Sequence, residues 1–277
     1  MLSGKGVLAS KQAQNKKRKA LIKSRFLGIL IVGGISSGVY SIPRYEEINI
    51  VNIFVSGNEV IEKNEISKLA EEKLQGSKYF IFPNRNIFLY PKFELTNAIK
   101  DLSPDVLSAS VNFKDLKSIS ISVVERQPFA LWCGNSYEFN IDHLKCYFLD
   151  KEGFIFDEAP QFSGNAYIRY FGTTSEPYLR SQFLNPILFQ ALSRLTAELK
   201  KKGFETVSVN YKSSGEIIIN LETGSQLIFS EKTDYGRIVT YLSELVLSKE
   251  FKGINELGKL NVSYVDFRFG NKIFYKP

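Results

Sequence analysis

The longest apolar stretch of the chain is Phe26–Ile42, and it contains no charged residue. At the helical rise, its 17 positions cover about 25 Å, close to the ~30 Å hydrocarbon core of a bilayer. Lys23 and Arg25 precede it, and Tyr40 and Tyr45 lie near its other end, as in helices that are held at both interfaces. The pattern predicts a single transmembrane helix over residues 26–42.

Two other interpretations of this stretch stay open, a cleaved signal peptide and a buried core helix. The basic region of 25 residues before the apolar stretch is long for a signal peptide. The four glycines within the stretch would be costly in a core helix. We therefore favour a retained anchor. The Gly34–Gly38 spacing allows close approach of a second helix, but a stretch rich in small residues also produces it by chance.

Charge assigns the two sides of the membrane. Residues 1–25 carry eight basic side chains and no acidic one, which places them in the cytoplasm and residues 44–277 outside. Their composition predicts a disordered tail that attracts anionic lipid. Removing these eight from the 36 basic residues leaves 28 against 29 acidic ones. The net charge of +7 thus belongs to the tail, and no nucleic-acid partner is expected.

The pattern of residues 46–126 predicts a first outer domain in the order strand, helix, helix, strand, strand. The predicted elements are a strand at 48–55, a helix at 65–74 capped by Asn64 and stopped by Gly76, a helix from Pro91, and strands at 106–113 and 118–124.

The faces of these elements follow from their spacing. The helix from Pro91 is expected to bury an apolar stripe, and the strand at 118–124 its isoleucines with Val123. Alternation in 106–113 leaves two inward sets, of which we favour the apolar one. The favoured residues are Phe93, Leu95, Ile99 and Leu102 on the helix, Leu107, Ala109, Val111 and Phe113 on the first strand, and Ile119, Ile121 and Val123 on the second.

Residues 128–277 predict a second outer domain of strands and two helices. Asn185, Pro186 and Gly203 mark the start and the end of the first helix, and the second covers Asp234–Lys249. The predicted strands are 129–133, 145–150, 154–156, 167–171, 206–211, 216–221, 225–230, 261–269 and 272–275.

No catalytic constellation is recognisable in the sequence. It contains no phosphate loop, dinucleotide fingerprint, zincin helix or nucleophile elbow, and His143 is the only histidine. We therefore expect a protein that is not an enzyme, with no cofactor, no bound metal and no small-molecule substrate. Cys133 and Cys146 flank one loop, and we favour a disulfide between them outside the cytoplasm. Two buried thiols, or a zinc site with Asp142 and His143, stay open.

The order of elements in residues 46–126 is that of a POTRA domain, and several motifs are more specific. Leu116–Trp132, with Glu125, Arg126 and Pro128, resembles the domain boundary of the FtsQ/DivIB family of bacterial cell-division proteins. Val55-Ser-Gly-Asn58, Leu149–Phe156 and Tyr264–Phe269 are similar to three further motifs of that family. The loop 134–144 is longer than the family pattern. The implied fold class is α+β: a transmembrane helix, a POTRA domain and a C-terminal domain with a mainly antiparallel sheet.

The resemblance also implies a function. It predicts a scaffold of the division septum that binds two bitopic coiled-coil proteins, FtsB-like and FtsL-like, and links them to septal peptidoglycan synthases. Binding is expected by strand addition at the last strand. The implied partner-binding residues are Arg268, which pairs with a partner carboxylate, together with Phe269, Asn271, Ile273 and Tyr275. The alternative is a POTRA-bearing, membrane-anchored factor for protein transport or assembly.

Overall fold

The computed structural model describes residues 5–41, 46–78, 82–135, 144–162, 164–174, 176–248, 251–254, 259–270 and 272–277. In this part the chain is mixed α+β, with one apolar N-terminal helix and a large, mostly antiparallel sheet, which confirms the predicted class at that level. The chain divides into two compact units. Unit 1 comprises residues 1–102 and 108–124, and unit 2 comprises residues 103–107 and 125–277.

The N-terminal helix α1 spans Lys5–Ser41. Its segment Lys16–Gly38 is long and apolar enough to cross a membrane, the one such segment among the described residues. The structure differs from the predicted disordered tail, because residues 5–25 are helical. Lys, Arg, Gln, Ala and Leu are good helix formers, and a helix that extends from the apolar segment needs no new nucleus. Ile42, the predicted last residue of the span, lies outside the described residues.

Beyond α1, the described residues of unit 1 form a three-stranded sheet, two helices and a small two-stranded ribbon. β5 lies between β1 and β4 and runs parallel to β1. Ile119, Ile121 and Val123 on β5 are buried, as predicted. After a 3₁₀ turn at Glu46–Ile48, the elements are β1 (Asn52–Ser56), α2 (Lys63–Lys73), β2 (Ser77–Lys78), β3 (Phe82–Pro83), α3 (Lys92–Leu102), β4 (Val106–Asp115) and β5 (Ser118–Glu125).

Two local predictions in the helices of unit 1 are wrong. α2 begins at Lys63 with the extended Glu62 as N-cap, so Asn64 lies inside the helix and caps nothing. In α3, Leu95 and Ile99 are buried one turn apart, while Phe93 lies off that stripe and is exposed.

The favoured inward set of β4 is confirmed at Val111 but wrong at Leu107 and Phe113. Val106 and Val111 are buried, whereas Leu107 and Phe113 are exposed. The two buried valines are five positions apart, so one belongs to each alternating set and neither set is buried as a whole. β4 is an edge strand of a small sheet, and the other eight of its ten residues are not buried.

Gly57 permits the tight approach that ends β1. Its φ is +80°, and a Cβ at this position would lie 2.2 Å from the carbonyl oxygen of Val123. Asn58 continues the turn by donating from Nδ2 to the carbonyl of Ile61 at 2.8 Å. The motif segment Val55-Ser-Gly-Asn58 therefore forms a turn that has a steric reason in this fold.

Unit 2 is built on one ten-stranded sheet of order β10-β8-β7-β6-β9-β11-β12-β13-β14-β15. Six of its neighbouring pairs are antiparallel, and β6–β9, β9–β11 and β13–β14 are parallel. The elements are β6 (Ala130–Trp132), β7 (Tyr147–Leu149), β8 (Phe154–Glu158), β9 (Arg169–Phe171), β10 (Ser181–Gln182), α4 (Pro186–Lys201), β11 (Thr206–Tyr211), β12 (Glu216–Leu221), β13 (Gln226–Ser230), α5 (Tyr235–Leu247), β14 (Tyr264–Phe269) and β15 (Lys272–Lys276).

The two helices of unit 2 supply much of its core. Asn185 caps α4 by accepting from the amide of Ile187 at 2.9 Å, and Pro186 is the first helical residue, as predicted. Phe189 of α4 is buried together with Leu192, Leu195 and Leu199. Ile238 and Leu242 of α5 join the same core against the sheet strands.

Two of the motif segments meet at a buried ion pair. The guanidinium of Arg126 is paired with the carboxylate of Asp150, and both side chains are largely buried. Arg126 also donates from Nε to the carbonyl of Pro104 at 3.1 Å and lies 3.9 Å from the centre of the Phe154 ring. Asp150 accepts from the amide of Phe154 at 2.9 Å, which fixes the turn between β7 and β8.

Candidate functional site

The last strand, β15, forms one edge of the large sheet and pairs only with β14 in the described residues. The register places Val265 opposite Tyr275 and Asp266 opposite Phe274, with an irregularity before Phe269. The outer side of β15 therefore carries backbone amides and carbonyls that β14 does not pair. The opposite edge, β10, has two residues against five in β15, so β15 is the longer template for another strand.

The side chains of β15 lie on two different faces. Ile273 packs against the core of unit 2, and the Tyr275 ring contacts Phe251 edge to face at 4.8 Å. Phe274 lies on the opposite face and is exposed. It contacts the exposed Phe269 edge to face at 5.1 Å between ring centres, which makes an apolar pair on the surface.

Arg268 has partners within its own chain. Its guanidinium donates to both oxygens of Asp266, from Nε at 2.9 Å and from Nη2 at 2.6 Å, and Nη1 pairs with Glu216. Burial alone would raise the pKa of Asp266, but the hydrogen bonds from the side chain and amide of Arg268, with its charge, bring that pKa below the usual range. The same pairing raises the pKa of Arg268.

A cleft of about 460 Å³ opens next to this arginine. It lies between the β14–β15 turn and the first turns of α5, with Asp234 as the helix cap. Its lining combines cationic and apolar groups, namely Lys232, Arg237, Tyr241, Phe267 and Arg268. The cleft suits an acidic or aromatic side chain more than a polyanion, because Asp234 also lines it.

The structure thus brings together four of the five residues expected from the resemblance. Arg268, Phe269, Ile273 and Tyr275 all belong to β14 and β15, and Asn271 lies outside the described residues. Sequence reasoning missed Phe274. The signal was available, because strict alternation puts Phe274 on the face opposite Ile273 and Tyr275.

Cys133 and Cys146 form a disulfide. Both are buried in a small cluster with Leu131 and Phe171. Since the sulfurs bond to each other, they do not act as thiolate ligands for zinc. His143 and Asp142 lie outside the described residues, within which no group of three or more His, Cys, Asp or Glu side chains is arranged to hold a metal.

No protein-family model matches the sequence, and a search of curated proteins finds no significant match. The class of the molecule therefore rests on its own structure. It is a two-unit α+β chain with one apolar N-terminal helix and an open edge at its C-terminal strand.

Proposed function

We propose that this protein is a membrane-anchored scaffold of the bacterial division septum, similar to the FtsQ/DivIB family. In this proposal α1 crosses the inner membrane once with its basic end in the cytoplasm. The part of unit 1 after α1 is a POTRA domain, an assignment supported by its order β1-α2-α3-β4-β5, with the short ribbon β2-β3 between the helices, and by the parallel pairing of β1 with β5. The disulfide of unit 2 fits a location outside the cytoplasm.

The open edge of β15 is the observation that carries the proposed binding mode. A partner strand from an FtsB-like protein pairs with the outer backbone groups of β15, and an FtsL-like protein joins through the same coiled coil. This assembly then regulates septal peptidoglycan synthases. Main-chain hydrogen bonds supply affinity in such a mode, and side chains beside the strand supply specificity.

The lysines of β15 indicate which charges a partner strand would carry. Lys272 and Lys276 alternate with Phe274 along β15, and all three are exposed. Lysines on an edge disfavour pairing of two copies of the same strand, since like charges would lie close together. A partner strand with acidic residues on both sides of an apolar one complements this pattern, and Glu216 releases Arg268 when a partner carboxylate takes its place.

The test replaces the exposed aromatic residue on the edge strand. The full chain in lipid nanodiscs, as wild type, Phe274→Glu or Ile187→Glu, is titrated with the outer domain of the FtsB-like protein from the same genome. Ile187 is the matched control, an exposed apolar residue on α4. We expect Phe274→Glu to weaken binding by about tenfold or more and Ile187→Glu to leave it unchanged. Equal affinity of all three proteins would contradict the proposal.

A further inference from the structure

Residues 85–93, the segment before α3 together with its first two residues, form a second exposed apolar surface, in unit 1, which we name the aromatic loop. Phe88 is 68% exposed and Phe93 is 74% exposed, and Leu89 between them is also exposed. Residues 77–93 contain six aromatic and three basic residues and no acidic one. Exposed apolar side chains grouped with basic ones are unusual for a surface that faces only water.

The aromatic loop is held by its own hydrogen bonds. Within the loop, Asn86 and Ile87 are buried, and Asn86 Oδ1 accepts from the amide of Phe88 at 3.0 Å. The carbonyl of Asn86 accepts from the amide of Leu89, also at 3.0 Å. The exposure of Phe88 and Leu89 is therefore a feature of an ordered turn.

The aromatic loop lies beside the described segment that follows α1 in the chain and begins at residue 46. Ile87 donates from its amide to the carbonyl of Ile48 at 2.9 Å, and Ile50 donates to the carbonyl of Arg85 at 2.7 Å. The bridge between Asn49 and Asn86 is antiparallel, so the chain from residue 85 to residue 87 runs from Ile50 toward Ile48 and thus toward the segment that precedes β1. Residue 46 lies within about 18 Å of residue 41, the end of α1, because an extended chain advances no more than ~3.6 Å per residue.

The β4–β5 turn lies at the same end of the unit 1 sheet. Lys92 Nζ of the aromatic loop donates to Asn112 Oδ1 of β4 at 3.4 Å. Lys117 Nζ of this turn lies 2.6 Å from Oε2 of Glu47, the second described residue after α1. Leu116 at the tip of this turn is exposed, and Lys114 precedes it. The aromatic loop and the β4–β5 turn therefore present apolar and basic side chains beside residues 47–50, a few positions after α1 in the chain.

We propose that the aromatic loop and the β4–β5 turn dock unit 1 on the outer-leaflet interface of the membrane that α1 spans. The inference rests on the proposed anchoring, but not on the proposed division partners. Phe88, Leu89 and Phe93 enter the boundary between headgroups and acyl chains, and Lys92 and Lys114 meet lipid phosphates. The docking holds unit 1 against the bilayer and restricts the directions in which the chain beyond it extends.

The test measures the depth of single labelled positions. The full chain, with one introduced cysteine that carries an NBD fluorophore, is placed in nanodiscs of phosphatidylethanolamine and phosphatidylglycerol with a share of 5-doxyl lipid. The native cysteines are paired and leave the introduced one to react. The sites are Phe88→Cys, Ile31→Cys in α1, and the matched control Val60→Cys, which is 76% exposed and lies beyond the other end of β1.

We expect the doxyl lipid to quench the labels at 31 and 88 about twofold or more beyond the label at 60. A Phe93→Glu substitution should reduce the quenching at 88 and leave that at 31. Quenching at 31 with equal values at 88 and 60 would overturn the docking and leave the anchoring intact. No quenching at 31 would overturn both. A blue-shifted label at 88 without lipid quenching would mean that protein covers the loop, and would also overturn the proposal.

Discussion

Arg268 and Asp266 lie two residues apart on β14, and the guanidinium holds the buried carboxylate at 2.9 Å from Nε to Oδ1. This pair links the candidate binding residue to the stability of the last two strands. An Arg268→Glu substitution, which would reverse the charge expected to pair with a partner carboxylate, would place a third carboxylate beside Asp266 and Glu216. Its effects on folding and on binding have to be separated.

We predict that Arg268 and Asp266 are energetically coupled. A double-mutant cycle with Arg268→Ala and Asp266→Ala should give a coupling free energy of about 1–2 kcal/mol, reduced from that of a fully buried pair because Arg268 is partly exposed. Urea unfolding followed by the fluorescence of Trp132, the only tryptophan, reports on unit 2. Strictly additive single effects would show that the pair carries no net stabilisation.

The pH dependence of stability follows from the lowered pKa of Asp266. A carboxyl whose pKa is lower in the folded chain stabilises the fold above its unfolded pKa of about 3.9, and this contribution is lost as the pH falls through the folded value. The difference in unfolding free energy between wild type and Asp266→Asn should therefore be largest at pH 5–7 and shrink below about pH 4. A difference that stays constant from pH 7 to pH 3 would contradict the assignment.

The buried pair of Arg126 and Asp150 should contribute more to stability than any exposed pair of unit 2. Removing Arg126 leaves Asp150 buried without its partner, so Arg126→Ala should lower the unfolding free energy by about 3 kcal/mol or more. Lys145→Ala, which breaks an exposed pair with Glu158, is the control and should cost about 1 kcal/mol or less. Similar losses in the two variants would refute this ranking.

The disulfide should stabilise unit 2 by restricting the unfolded chain. Cys133 and Cys146 are 13 positions apart, and a loop of this length corresponds to about 3 kcal/mol in the chain-entropy model. The double variant Cys133→Ser/Cys146→Ser should unfold at lower urea concentration than the oxidised wild type. Reduced wild-type protein serves as the second comparison. If the urea midpoints of the double variant and of the reduced wild type both equal that of the oxidised wild type, the disulfide does not contribute the predicted stability.

Local signals in the sequence were sufficient for the elements that end in strong turns. β11 and β12 have the predicted bounds, because the turns at Ser213-Ser-Gly215 and Thr223-Gly224 interrupt alternating runs. The start of α4 was equally clear from Asn185 and Pro186. These signals act within a few residues, so they do not depend on the rest of the fold.

Features that depend on distant residues could not be predicted. The pairing of Arg126 with Asp150 joins segments 24 residues apart, and the burial of Val106 and Val111 on β4 follows no alternation. The faces of β15 depend on Phe251, which contacts Tyr275 and leaves Phe274 for the surface. In the candidate site, the register of β14 and β15 decides which side chains are accessible, and that register depends on pairing between strands that local signals do not encode.

The localisation of the full chain tests the central proposal most directly. A fluorescent protein fused before Met1 stays on the cytoplasmic side in the proposed topology and reports the position of the molecule in living cells. We expect a band at the division site that is lost when residues 264–277 are deleted, while Ile187→Glu, the matched surface variant, retains it. A uniform membrane signal throughout the division cycle would contradict the scaffold function.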